Sequence, residues 1–192
     1  MNKITIILSI DDIFNRLLTF GHRQYGEEVT ELEHALQSAM LANDCGEPHA
    51  LVAACLLHDY GHLMHDLGEE IAGTGIDARH EMIGAASLAS SFPAAVIEPI
   101  RLHVAAKRYL CQQDKSYFKS LSAASRQSLA LQGGPMTEAE IIEFEELEYH
   151  QEAIRLRHYD DGAKIQHLVV PPLETYRTML ESLLISPRAH ES

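Results

Sequence analysis

Apolar residues recur at intervals of three and four along most of this chain, a spacing that commits it to helices. The one strand signal is a brief β-branched run at Ile4 to Leu8. The expected fold class is therefore all-α. Thr30-Glu31-Leu32-Glu33 forms a capping box, the Thr hydroxyl accepting from the N3 amide while Glu33 reaches back, so a helix opens there and runs to a stop at Asn43 to Gly46. A second helix follows Pro48, carries Ala50 to Asp59 and ends near Gly61. A third is expected from Ala78 to Phe92, and a fourth from Ala94 through Leu110 with a kink at Pro99. Beyond the loop Gln132-Gly133-Gly134-Pro135, Thr137-Glu138-Ala139-Glu140 opens an acidic helix. Further helices cover Gln151 to Lys164 and Glu174 to Leu184. No repeat or low-complexity linker divides the chain, so residues 1–192 are read as a single domain with a tail at 186–192.

Charge narrows the function classes. Fifteen Lys and Arg against 28 Asp and Glu give a net charge of -13, which repels phosphate backbones and anionic headgroups, so no nucleic-acid partner is expected. The apolar run Leu51 to Leu57 is far too short to span a bilayer, and no membrane association is expected. Cys45, Cys55 and Cys111 are odd in number and lack metal-ligand spacing, which fits free thiols in a reducing cytoplasm.

Twelve histidines are unusually many for 192 residues, and their positions follow the helices. His34, the His58-Asp59 pair, His80 and His103 fall one to a helix on four successive helices, and Asp160 lies on a fifth. Helices that each turn one imidazole or carboxylate inward can build a metal site in a bundle core. Imidazole with carboxylate favours iron, manganese, zinc or nickel over calcium. His58 and Asp59 directly follow Ala53-Ala54-Cys55-Leu56-Leu57, where a polar group facing the core needs a partner. His62, four residues after His58, can be a metal ligand, a group behind the ligands or a substrate contact.

These residues resemble the H...HD...D signature of the HD-domain superfamily, mostly metal-dependent phosphohydrolases. More narrowly, Tyr25-Gly26-Glu27, Leu32-Glu33-His34-Ala35-Leu36-Gln37, Leu57-His58-Asp59-Tyr60-Gly61-His62, Leu102-His103-Val104-Ala105-Ala106-Lys107, Gly133-Gly134-Pro135-Met136 and Leu156-Arg157-His158-Tyr159-Asp160-Asp161 resemble the HD-domain mixed-valent diiron oxygenases. The resemblance covers residues 20–175 and is strongest to the PhnZ-type phosphonate-cleaving members, including a trimethylammonio-phosphonate enzyme, and weaker to myo-inositol oxygenase. It implies an HD-type helical bundle with a dinuclear site in its core. His34, His58, Asp59, His80, His103 and Asp160 would be the metal ligands, with Asp59 bridging. Asp160 is chosen over Asp161 because the family's ligand precedes a Lys by four residues, here Lys164. Tyr25 would be a lid ligand, with Glu27, or Glu28 beside it, meeting a substrate ammonium. Lys107, Ser125, Ser128 and Arg157, with His62, would hold the phosphonate. Without the resemblance, Lys107-Arg108 reads as a solvated helix end and Arg157 as a surface partner of Glu152 or Asp161.

The implied cofactors are two iron ions, Fe(II) and Fe(III), with dioxygen as co-substrate. Neither NAD nor flavin is called for, and no glycine-rich dinucleotide fingerprint is present. The implied reaction is oxidative C–P cleavage of a 1-hydroxyphosphonate, most simply (R)-2-amino-1-hydroxyethylphosphonate to glycine and phosphate. The trimethylammonio analogue giving glycine betaine, and hydrolysis of a phosphomonoester, are the alternatives. Such an enzyme would act after a 2-oxoglutarate-dependent hydroxylase that installs the hydroxyl.

Overall fold

A computed structural model of the chain describes residues 7–25, 29–64 and 79–185. Ile7 and Leu8, the described part of the β-branched run, form no strand; they lead into helix α1, Ile10–Phe20. Ser9 starts that helix by accepting from the Asp12 amide while Asp12 reaches back, and Ile10, Ile13, Phe14 and Leu17 face the core. The extended segment is held instead by Ser91, whose Oγ accepts from Leu8 N at 2.8 Å and donates to Leu8 O at 3.1 Å. Ser91 O also accepts from Ile185 N at 2.9 Å.

Two short strands, β1 (Gln24–Tyr25) and β2 (Val29–Thr30), pair antiparallel with Gln24 opposite Thr30. Gly26, Glu27 and Glu28 and the Tyr25 side chain lie outside the described residues, and with them the expected lid. The Thr30–Glu33 capping box forms as read and opens α2, Glu31–Asp44. Helix α3, His49–Leu57, is buried from Leu51 to Leu57. The expected continuation through Asp59 gives way to a 3-10 turn, Tyr60–Met64.

Backbone contact explains that turn. A Cβ on Gly61 would lie 2.0 Å from the His80 carbonyl oxygen, and one on Gly84 would lie 2.9 Å from Gly61 N. Two glycines thus let the turn after Asp59 touch helix α4, His80–Leu88. Helix α5, Ala94–Gln113, continues through Pro99. Two short helices absent from the sequence reading follow, α6 (Lys115–Ser120) and α7 (Ala123–Leu131). Helix α8, Glu138–Glu145, starts at the Thr137 capping box, α9 spans His150–Gly162, and a 3-10 turn at Leu173–Tyr176 leads into α10, Arg177–Leu183.

Helix α9 packs on α5 and α2, α2 on α3, α3 on α5, and α4 on α5. The chain is an all-α bundle in which the helices carrying the histidines and Asp160 are mutual neighbours. Among the described residues no helix is long and apolar enough to cross a membrane.

Candidate metal centre

The six donors read from the sequence converge around Asp59. Its Oδ2 lies 3.1 Å from His58 Nε2 and 3.7 Å from His34 Nε2. Its Oδ1 lies 3.3 Å from His80 Nε2 and 3.7 Å from His103 Nε2. Asp160 joins the first group, with Oδ1 at 3.4 Å from His34 Nε2 and Oδ2 at 3.9 Å from His58 Nε2. One carboxylate therefore faces two pairs of imidazoles, one pair to each oxygen. His62 adds to the second group, with Nε2 at 3.9 Å from Asp59 Oδ1 and its ring stacked on His80 at 4.1 Å between centroids. His34, His58 and Asp59 form one set able to hold a metal ion, and Asp59, His62 and His80 a second.

The protonation pattern fits metal ions. His34 Nδ1 donates to Ala163 O at 2.8 Å and His58 Nδ1 to Cys55 O at 2.8 Å, which leaves Nε2 as the atom of each ring free to carry a lone pair toward a cation. Those two Nε2 atoms face each other at 3.1 Å. His103 Nδ1 donates to Ile100 O at 2.7 Å, and its Nε2 meets His80 Nε2 at 3.0 Å. Lone pairs this close repel unless a cation, a proton or a metal ion, lies between them, and backbone carbonyls holding the far nitrogens are the usual support for ligating imidazoles. Asp59 Oδ2 and Asp160 Oδ1 are buried without a hydrogen-bond partner, as ligand oxygens awaiting a cation would be.

Electrostatics carry the same demand for positive charge. Burial opposes a charged His58, but the Asp59 carboxylate outweighs it and lifts the ring to about 9. Burial and then the neighbouring His80 hold His103 well below the ordinary imidazole range. Burial would raise Asp59, yet His58 and His80 hold it well below the usual carboxylate range.

A cationic patch lies beside this cluster. Lys107, one helical turn beyond His103, is buried rather than solvated and donates from Nζ to Ser128 Oγ at 2.9 Å. Burial, and then the Arg157 charge nearby, push Lys107 down to about 8. Ser125 is half-buried; its Oγ accepts from Ser122 Oγ at 3.1 Å and its carbonyl accepts from Ser128 Oγ at 3.1 Å. Arg157 is also buried, not a surface group: Nη1 donates to Asp160 Oδ2 at 2.5 Å, and Nε and Nη2 donate to Asp161. Glu152 pairs with Arg155 instead, at 3.1 Å.

Three further residues belong to the surroundings, two of them, Tyr117 and Glu31, without a site role expected from the sequence. Tyr117 OH donates to Asp161 Oδ2 at 2.6 Å and accepts from Arg157 Nε at 3.1 Å. Lys164 Nζ lies 3.8 Å from Asp160 Oδ1. Glu31, on the first turn of α2 and three residues before His34, is buried and lines a small cavity with Leu17, Ala35, Leu56, Asp59, Tyr60 and Leu63. Its i, i+3 relation to His34 was the available signal; Tyr117 offered none.

An all-α bundle whose core gathers histidines and aspartates into two sets able to hold a metal ion and sharing one carboxylate is a bundle of the HD type. No family model matches the chain. It is 48% identical over 176 residues to a hydroxymethylphosphonate dioxygenase of Gimesia maris, covering 91% of this chain and 88% of that protein. It is 37% identical over 185 residues to a [1-hydroxy-2-(trimethylamino)ethyl]phosphonate dioxygenase (glycine-betaine-forming) of Leisingera caerulea, covering 96% and 93%. An uncharacterized protein of Acanthamoeba polyphaga mimivirus is 37% identical over 183 residues, covering 93% and 83%. The chain belongs to the PhnZ-type phosphonate oxygenase family.

Proposed function

We propose that this protein, acting as one HD-type domain, cleaves the C–P bond of a 1-hydroxyphosphonate with dioxygen. The observation that carries this reading is the sharing of Asp59 between two imidazole groups beside the buried Lys107 and Arg157. In a chain of net charge -13, a compact dianion needs such a local concentration of positive charge. His34, His58 and Asp160 would hold one metal ion and His80 and His103 the other, with Asp59 shared between them. Bound there, Fe(II) and Fe(III) supply the Lewis acid that acidifies the substrate hydroxyl and the redox centre that reduces dioxygen.

The protein's own groups do the rest. Lys107, held by Ser128, takes one phosphonate oxygen as a point charge, and Arg157 adds its guanidinium charge beside it. Ser125 and His62 complete the phosphonate contacts, His62 stacking on His80 and so facing the same centre. Tyr25 closes the site at rest, and Glu27 pairs with a substrate ammonium where there is one. One 1-hydroxyphosphonate and one dioxygen yield one carboxylate, one phosphate and one proton, the four electrons coming from the substrate, so no nicotinamide, flavin or ketoacid is consumed.

Hydroxymethylphosphonate is the substrate we favour, giving formate and phosphate, because the 48% relative is named for it. (R)-2-Amino-1-hydroxyethylphosphonate and its trimethylammonio counterpart, the latter the substrate in the name of the 37% relative, are the competitors. The hydroxyl must come from a prior hydroxylation, for which a 2-oxoglutarate-dependent enzyme is the fitting class. Free Cys45, Cys55 and Cys111 are in keeping with a cytoplasmic setting.

The deciding experiment supplies each of the three phosphonates to the iron-loaded protein with and without dioxygen and measures phosphate and the carboxylate product. Dioxygen-dependent, equimolar release is expected, fastest with hydroxymethylphosphonate. Dioxygen-independent hydrolysis of a phosphomonoester would make the protein a hydrolase instead.

A further inference from the structure

We propose that Tyr117, acting through Asp161 and Arg157, is a positioning residue for Asp160. The inference rests on the reading of Asp160 as a metal donor. Asp160 is 1% exposed, and its two oxygens have different neighbours. Oδ2 accepts from Arg157 Nη1 at 2.5 Å, while Oδ1, buried without a hydrogen-bond partner, points at His34 Nε2 at 3.4 Å. Arg157 thus decides which oxygen faces the imidazoles, and the orientation of Arg157 is decided in turn.

Its side-on edge, Nε and Nη2, is taken by the Asp161 carboxylate. Tyr117 locks that pair: its hydroxyl donates to Asp161 Oδ2 at 2.6 Å and accepts from Arg157 Nε at 3.1 Å. A guanidinium held along one whole edge has no freedom to rotate about Cδ–Nε, so Nη1 is presented to Asp160 in one orientation. The charges balance, Arg157 and Lys164 facing Asp160 and Asp161, with Lys164 Nζ at 3.8 and 3.9 Å from their Oδ1 atoms. Carboxylates that ligate metals are commonly fixed by such partners behind them.

Tyr117 also comes from elsewhere in the fold. It is the one buried residue of α6 and packs with Cys111, Leu121 and Leu129, on the segment that leads to Ser125 and Ser128. One phenol therefore fastens the phosphonate-side helices to the helix that carries Asp160.

The test loads wild type, Tyr117→Phe, Asp161→Asn, Asp161→Glu and Asp160→Asn with ferrous iron without dioxygen. It measures iron per chain and the rate of iron loss to a chelator, with the thermal midpoint of each metal-free protein alongside. Tyr117→Phe and Asp161→Asn should release one iron about ten-fold faster than wild type, with Asp161→Glu in between. Leu129→Ala, which loosens the same packing without touching the hydrogen bonds, should lower the thermal midpoint and leave iron loss at the wild-type rate. A wild-type protein that retains no iron, or an Asp160→Asn variant that loses it no faster, would remove the metal-donor reading and the inference together. Accelerated loss in Asp160→Asn with wild-type loss in Tyr117→Phe, or equal acceleration in Leu129→Ala, would overturn the inference alone.

Discussion

Asp59 is the residue whose replacement separates the two halves of the centre. Its Oδ2 faces His34 and His58 and its Oδ1 faces His80 and His103, so in the proposed centre Asp59→Ala would leave two metal ions with no shared anion between them. Elemental analysis of that variant should find no more than one iron per chain. Lys107 makes a different prediction. Its ammonium is pushed down to about 8 by burial and by Arg157, so the charge is present below that pH and lost as pH rises through it. The apparent affinity for a phosphonate, measured as kcat/KM, should fall above about pH 8, and Lys107→Arg should move that fall upward. Lys107→Ala should raise KM at pH 7 ten-fold or more, the effect of losing a charged hydrogen bond of about 1.5–3 kcal/mol. The burial of Lys107 was legible in principle: it follows His103 by four residues, so a helix that turns His103 inward turns Lys107 inward too. The adjacent Arg108 hides that signal, because a Lys-Arg pair reads as a solvated helix end.

At the scale of elements, sequence and structure agree at the two Thr-x-x-Glu capping boxes. Thr30 and Thr137 open helices as expected, and the donors fall on α2, α4, α5, α9 and the segment after α3. Helix α1 was masked by the β-branched run before it, although Ser9 and Asp12 form a capping box of the same kind. Ser9→Ala should lower stability by about 1 kcal/mol in chemical denaturation, with the metal centre intact. Helices α6 and α7, six and nine residues long, each bury a single side chain, too few for a period to show. The turn after Asp59 departs from the expected helix because tertiary contact overrides local preference: Gly61 and Gly84 put two backbones in touch. Gly61→Ala forces a methyl group against the His80 carbonyl, and overpacking of that kind costs about 1–3 kcal/mol. Its signature should be specific, with loss of the metal ion on the His80 and His103 side beyond what the fall in thermal midpoint accounts for.

For the whole molecule, the centre is also a fastening. Metal ions held as proposed would tie α2, α4, α5 and α9 through groups that otherwise repel, so binding should stabilise the fold by mass action, about 2.7 kcal/mol at a hundred-fold excess over Kd. Differential scanning calorimetry with and without a chelator should show the midpoint falling on metal removal while helical circular dichroism persists below it. The larger apolar cluster, which includes Phe14, Leu51, Leu57, Ile100, Leu156 and Leu180, supports that persistence.

Ser91 has a topological corollary. Because Leu8 and Ile185 both bond to it, the two ends of the described chain lie side by side, although 177 positions of sequence separate them. Joining them with a short linker and opening the chain beside Val169, which is 89% exposed, would make a circular permutant whose polypeptide starts between α9 and α10. In it the donors keep their neighbours in space, and Asp160 still comes last among them. A permutant that folds and takes up two irons would show that the place where the polypeptide begins and ends is immaterial to assembling the centre.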